Sequence, residues 1–98
     1  MANKSLLDKV SFIFKTVKNH NTAPEALDML MKYTKEHTDD MVLGRFFGYS
    51  VSDYSIAALK WLNTEDTNLN FERIIKSLPS QRQHEINELV SKELYKQY

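Results

Sequence analysis

The chain has 98 residues, with thirteen basic and thirteen acidic side chains, so its formal net charge is zero. It holds no cysteine, which excludes disulfides, thiolate nucleophiles and zinc–thiolate sites. This length predicts one domain that buries about 65% of its unfolded surface and leaves roughly 5,800 Å² accessible.

No apolar run reaches membrane-spanning length and the amino terminus lacks a secretory core, so a soluble, cytoplasmic protein is expected, with no membrane partner. The charge is unevenly spread. Residues 1–38 carry six lysines against four acids (+2), 39–70 two basic residues against five acids (−3), and 71–98 five against four (+1).

In chain order, Leu6, Val10, Ile13 and Val17 recur at helical spacing behind Ser5, which with Asp8 resembles a capping box. This first helix is expected to end near Lys18, before Asn19-His20-Asn21. Thr22-Ala23-Pro24-Glu25 predicts a capped second helix carrying Leu27, Leu30, Met31 and Thr34, with Lys35 and His37 in its last turn. A short third helix is expected over about 40–47, stopped by Gly48. Ser50 to Asp53 then caps a fourth, running to about Asn63 with Val51, Tyr54, Ala58 and Trp61 in line. The polar run at 63–70 reads as the longest loop. Leu69, Ile74, Ile75 and Leu78 suggest a short fifth helix, closing before Pro79. Ser80 to Gln83 reads as another cap, opening a final helix from Gln81 to about Gln97.

No segment alternates with period two, so the fold class is all-α: a compact single domain of five or six short helices. Residues 41–62 contain both glycines, the only tryptophan, Phe46, Phe47, Tyr49 and Tyr54, and are expected to form the middle of the core. Phe12 and Ile56 fall off the apolar lines of their helices. Each is therefore either exposed, marking a partner or oligomer surface, or covered by a helix whose place the pattern does not give.

Constellations for chemistry are sparse. His20, His37 and His84 lie in different segments, none with a second histidine at i+3 or i+4. The adjacent acids Asp39-Asp40 and Glu65-Asp66 sit at an expected helix start or in a loop, and no serine stands in a nucleophile motif. The expectation is a non-enzyme without cofactor or metal.

The run from Leu43 to Leu59 resembles the helix-turn-helix unit of DNA-binding regulators. Gly44 and Gly48 match the small residue and the turn glycine four positions later, Leu43, Phe47 and Tyr49 match buried positions, and Ser50 opens the second helix. The resemblance implies that Ser50, Val51, Ser52, Ser55 and Ile56 face the major groove. The −3 balance of 39–70 weighs against nucleic acid as partner, because phosphate attraction dominates such affinity.

The function expected first is a small non-catalytic binding protein acting through protein–protein contacts: an inhibitor, adaptor or immunity-type protein. The alternatives are a DNA-binding transcriptional regulator using residues 43–59, or a helical protein sequestering a small ligand among its aromatics. Candidate contacts to a partner or nucleic acid are Arg45, Tyr49, Ser50, Ser52, Ser55, Ile56 and Lys60. Homo-oligomerisation is left open.

Overall fold

The computed structural model describes residues 4–38 and 44–97. Its elements are α1 (Lys4–Lys18), α2 (Pro24–Tyr33), β1 (Arg45–Phe46), β2 (Tyr49–Ser50), α3 (Val51–Leu62), α4 (Glu65–Lys76) and α5 (Ser80–Lys92), closed by a 3₁₀ turn at Leu94–Gln97. The expected all-α class with five helices holds, and a two-stranded hairpin is the minor addition. The accessible surface is 5897 Å², close to the value expected from chain length. No helix among the described residues is long and apolar enough to cross a membrane.

Helix α3 is the axis of the molecule. Its neighbours are α1, α2, α4, α5 and β2, and ten of its twelve residues are buried. A helix surrounded on every side needs side chains that tolerate burial all round. Here Ala57, Ala58, Ser52 and Ser55 are small enough to let neighbouring helices approach, while Tyr54, Ile56, Leu59 and Leu62 fill the remaining volume. Ile56 is 0% exposed. Its position off the apolar line reflects a second covering helix, not a free surface. Phe12 is half-buried, its ring set edge-on to Tyr33 at 6.1 Å.

The hydroxyls of α3 solve a second problem. The last carbonyls of α2 lie at a helix end where backbone partners run out, Leu30 O accepting from Thr34 N at 3.0 Å. Ser55 Oγ donates to Leu30 O at 2.6 Å, and Ser52 Oγ donates to Thr34 O. These serines fasten α3 onto the end of α2. Phe14 and Tyr54 meet edge-to-face at 5.4 Å, and Trp61 stacks at a tilt on Tyr95 at 4.9 Å. The core aromatics thus pack on one another.

Several local expectations are corrected. The helix expected over 40–47 is, across its described part, the hairpin β1–β2, with Arg45 opposite Ser50 and Phe46 opposite Tyr49; residues 39–43 lie outside the described residues. Helix α2 begins after Ala23 without a side-chain cap and ends at Tyr33, leaving His37 in the following segment. The loop expected over 63–70 shrinks to Asn63 and Thr64. Thr64 and Thr67 cap each other reciprocally, Thr67 N donating to Thr64 Oγ1 at 3.1 Å and Thr64 N to Thr67 Oγ1 at 2.9 Å, so α4 starts at Glu65. Helix α5 has no side-chain cap at its start. It ends at Lys92, short of the expected Gln97, with Glu93 behind it in left-handed geometry and Trp61 Nε1 donating to Val90 O at 3.0 Å.

Candidate functional site

The seven candidate residues do not share one surface. Ser50, Ser52, Ser55 and Ile56 are each 0% exposed and Tyr49 is buried. The face that the helix-turn-helix resemblance aimed at a groove therefore lies under other helices, and a hairpin leads into α3 where the resemblance implied a helix. Lys60 is exposed near the far end of α3, its ammonium 5.7 Å from the Phe71 ring. Arg45 is drawn inward: Nε donates to Thr38 O at 2.9 Å, Nη1 donates to Gly48 O at 2.8 Å, and Nη1 stands 3.9 Å from Glu85.

What the structure brings together instead is a buried polar cluster at the start of α3. Ser50 caps the helix, its Oγ accepting from Asp53 N at 3.3 Å while Ser50 N donates to Asp53 Oδ2 at 3.1 Å. This is the reciprocal box that the sequence predicts. The other carboxylate oxygen accepts from Arg82 Nη2 at 2.7 Å, and the same nitrogen lies 3.1 Å from Ser52 Oγ. Asp53 is fully buried and Arg82 is 15% exposed, so the pair sits largely out of water. His37 Nδ1 lies 3.1 Å from Ser50 Oγ. Proximity of His, Ser and Asp invites comparison with a catalytic triad, but the roles differ. Ser50 Oγ is buried and engaged by a backbone amide, and Asp53 orients the helix start and an arginine, not the imidazole. The cluster locks the hairpin, α3 and α5 together.

A second feature is apolar and open. The hairpin turn consists of Phe47 and Gly48, with φ of +53° and +87°. Positive φ at both central positions is the signature of a type I′ turn, whose twist suits a two-residue hairpin. Such turns favour Asn-Gly, because a bulky L-residue is strained at positive φ. Phe47 occupies that position and is 75% exposed. The resemblance placed it among buried residues; the turn instead throws its ring outward. It rests against Phe46, ring centroids 4.5 Å apart.

Grooves flank Phe46 on both sides. One, of about 310 Å³, runs along α1 between Leu7, Asp8, Ser11, Phe14 and Phe46. The other, of about 280 Å³, lies between Phe14, Phe46, Phe47, Leu94 and Gln97. Leu7 is 41% exposed at the edge of the first. Nothing in the spacing of 44–50 singled out this surface, since Phe-Phe-Gly-Tyr reads equally well as core.

Tyr49 lies on the adjoining side. Its hydroxyl is 2.5 Å from Glu88 Oε1, and Lys92 Nζ is 5.2 Å from its ring centre. Burial, then the hydrogen bond to Glu88, raises the Tyr49 phenol above the ordinary tyrosine value. The same bond, followed by the Lys92 charge, lowers the Glu88 carboxyl. Tyr54, whose hydroxyl donates to Phe46 O at 2.5 Å, is raised strongly by burial. Tyr54 thereby holds β1 against the core and fixes the base of the hairpin.

Comparison with known proteins finds no matching family model, no matching curated protein and no matching solved structure.

Proposed function

We propose that the chain is a small, non-catalytic protein-binding domain whose anchor is the hairpin-borne Phe47. The observation that carries this reading is a large aromatic, 75% exposed, at a left-handed turn position where a small polar residue is favoured. Strain of that kind persists where surrounding structure imposes it, and it clusters at functional sites. Aromatic side chains projecting beside apolar grooves are also the usual energetic centres of protein interfaces. Arg45 and Tyr54 pin the two strands behind the tip, so the ring is presented on a rigid base. Leu69, also exposed, stands on α4 without such surroundings and needs no function.

The DNA-binding alternative draws no support from α3, because the side chains that would read bases are covered. Sequestration of a small ligand draws none from the core aromatics, which fill the interior against one another.

The test compares wild type, Phe47→Ala and Lys60→Ala in affinity capture from the native host, followed by calorimetry with the purified partner. Loss of a central aromatic anchor costs about 2 kcal/mol, roughly thirtyfold in affinity. A partner that binds Phe47→Ala as tightly as wild type overturns the reading. Salt-sensitive binding of random duplex DNA at low ionic strength, followed by fluorescence anisotropy, favours the nucleic-acid alternative instead.

A further inference from the structure

The stripe of α1 that borders the Phe47 face has an order to its charges. Residues 7, 8, 11, 15 and 18 share one side of a helix, and Leu7, Asp8, Lys15 and Lys18 are exposed there. Asp8 lines the groove with Leu7 and Phe46, and Lys15 stands two turns further on, about 10 Å away. Neither Asp8 nor Lys15 forms an ion pair within the described residues.

We propose that this face docks a second copy of the chain about a two-fold axis, with the two α1 helices antiparallel. It rests on the hairpin being an interaction surface and names what occupies it. A two-fold interface must be complementary to itself. Reversing one copy sets Asp8 against Lys15 of the second copy, and Lys15 against Asp8, so each unpaired charge meets its opposite. Ser11 lies between them and is small enough for close approach. Phe47 of each copy reaches the Leu7–Phe46 groove of the other. The chain's zero net charge removes the long-range repulsion that keeps many small domains apart. A heterologous partner requires only a matching apolar surface, and nothing in that requirement gives an acid and a base placed so that the stripe complements its own reverse.

A standard interface covers about 800 Å² per partner, roughly a seventh of this chain's 5897 Å². One helix stripe with a hairpin tip lies at the low end of the size range, so a dissociation constant on the order of 10–1000 μM is expected. A heterologous partner would then compete with the second copy for Phe47.

Sedimentation velocity from about 5 μM to about 1 mM, spanning that range, measures the association. The sedimentation coefficient should rise with concentration, and Phe47→Ala should abolish the rise. Asp8→Lys and Lys15→Glu, both at exposed positions, should each weaken dimerisation at least about tenfold, since each creates two like-charge contacts. The double variant Asp8→Lys/Lys15→Glu should return to within about threefold of wild type, because the swapped charges meet again across the axis. A chain that is monomeric throughout, a dimer indifferent to Phe47→Ala, or a double variant no better than the singles overturns the proposal. The two readings fail separately. A monomer that still loses a heterologous partner on Phe47→Ala sinks only the second copy, whereas a Phe47-dependent dimer with no other partner sinks only heterologous binding.

Discussion

Arg82→Met isolates a buried ion pair at the start of α3. It keeps the length and much of the apolar stem of residue 82 but removes the guanidinium that faces Asp53 at 2.7 Å. Asp53 has no exposed surface through which water could replace it. Removing one member of a buried ion pair costs about 3–5 kcal/mol, mostly as the penalty of the uncompensated charge. Stabilities of about 0.05–0.15 kcal/mol per residue give this chain roughly 5–15 kcal/mol in all, so the loss is a third or more of the total in a mid-range case. The urea midpoint should fall at unchanged slope, and the thermal midpoint should drop by at least about 12 °C. Asp53→Asn/Arg82→Met should regain most of the loss, since an amide keeps an oxygen for Ser50 N without a buried charge. A fall below about 1 kcal/mol for the single variant would refute the argument, because it would place the pair among surface ion pairs.

Other changes probe the remaining parts. Phe47→Asn should raise stability by about 0.5–1 kcal/mol in urea unfolding, because asparagine tolerates the left-handed turn, while partner binding is lost; a destabilised variant would contradict the strain assigned to Phe47. Thr67→Val removes the hydroxyl from the α4 cap and should cost about 0.5–2 kcal/mol, measured by the same midpoint; no change would mean that the cap contributes nothing. The phenols of Tyr49 and Tyr54 are raised in the fold, so their neutral forms are the stabilised ones. Their contribution is complete below about pH 10, the unfolded value, and is lost as pH climbs towards the folded values. Phenolate absorbance should show Tyr49 and Tyr54 titrating late, with unfolding easier above pH 10 and less so in Tyr54→Phe.

Helix existence was legible in the sequence where local signals act alone. The apolar spacing of α1, the proline opening α2 and the Ser50–Asp53 box of α3 each depend on neighbours within one turn, and each appears where the pattern placed a helix. Boundaries were less legible. Thr64 and Thr67 form a cap that lacks the usual acidic or amide residue, so a helix start looked like a loop. The end of α5 is set by Trp61 and Tyr95, which meet only after the chain has folded back.

The site was hidden for a related reason. Serines beside a glycine turn look the same in sequence whether they face DNA or cap the carbonyls of another helix, and only the placement of α2 against α3 decides between them. Arg82 is 29 residues from Asp53, and no local pattern links them. Composition, periodicity and capping thus determined a small all-α domain, but of the stretch 41–62 expected at its centre the described part from Gly44 to Gly48 stays outside the core, which takes Tyr49 to Leu59 and Leu62. Tertiary structure alone decided which aromatic was left outside, because exposure depends on what remains to cover a side chain once every helix face has found its neighbour. Phe47 was left out because the hairpin turn points away from α3, where all the other helices meet.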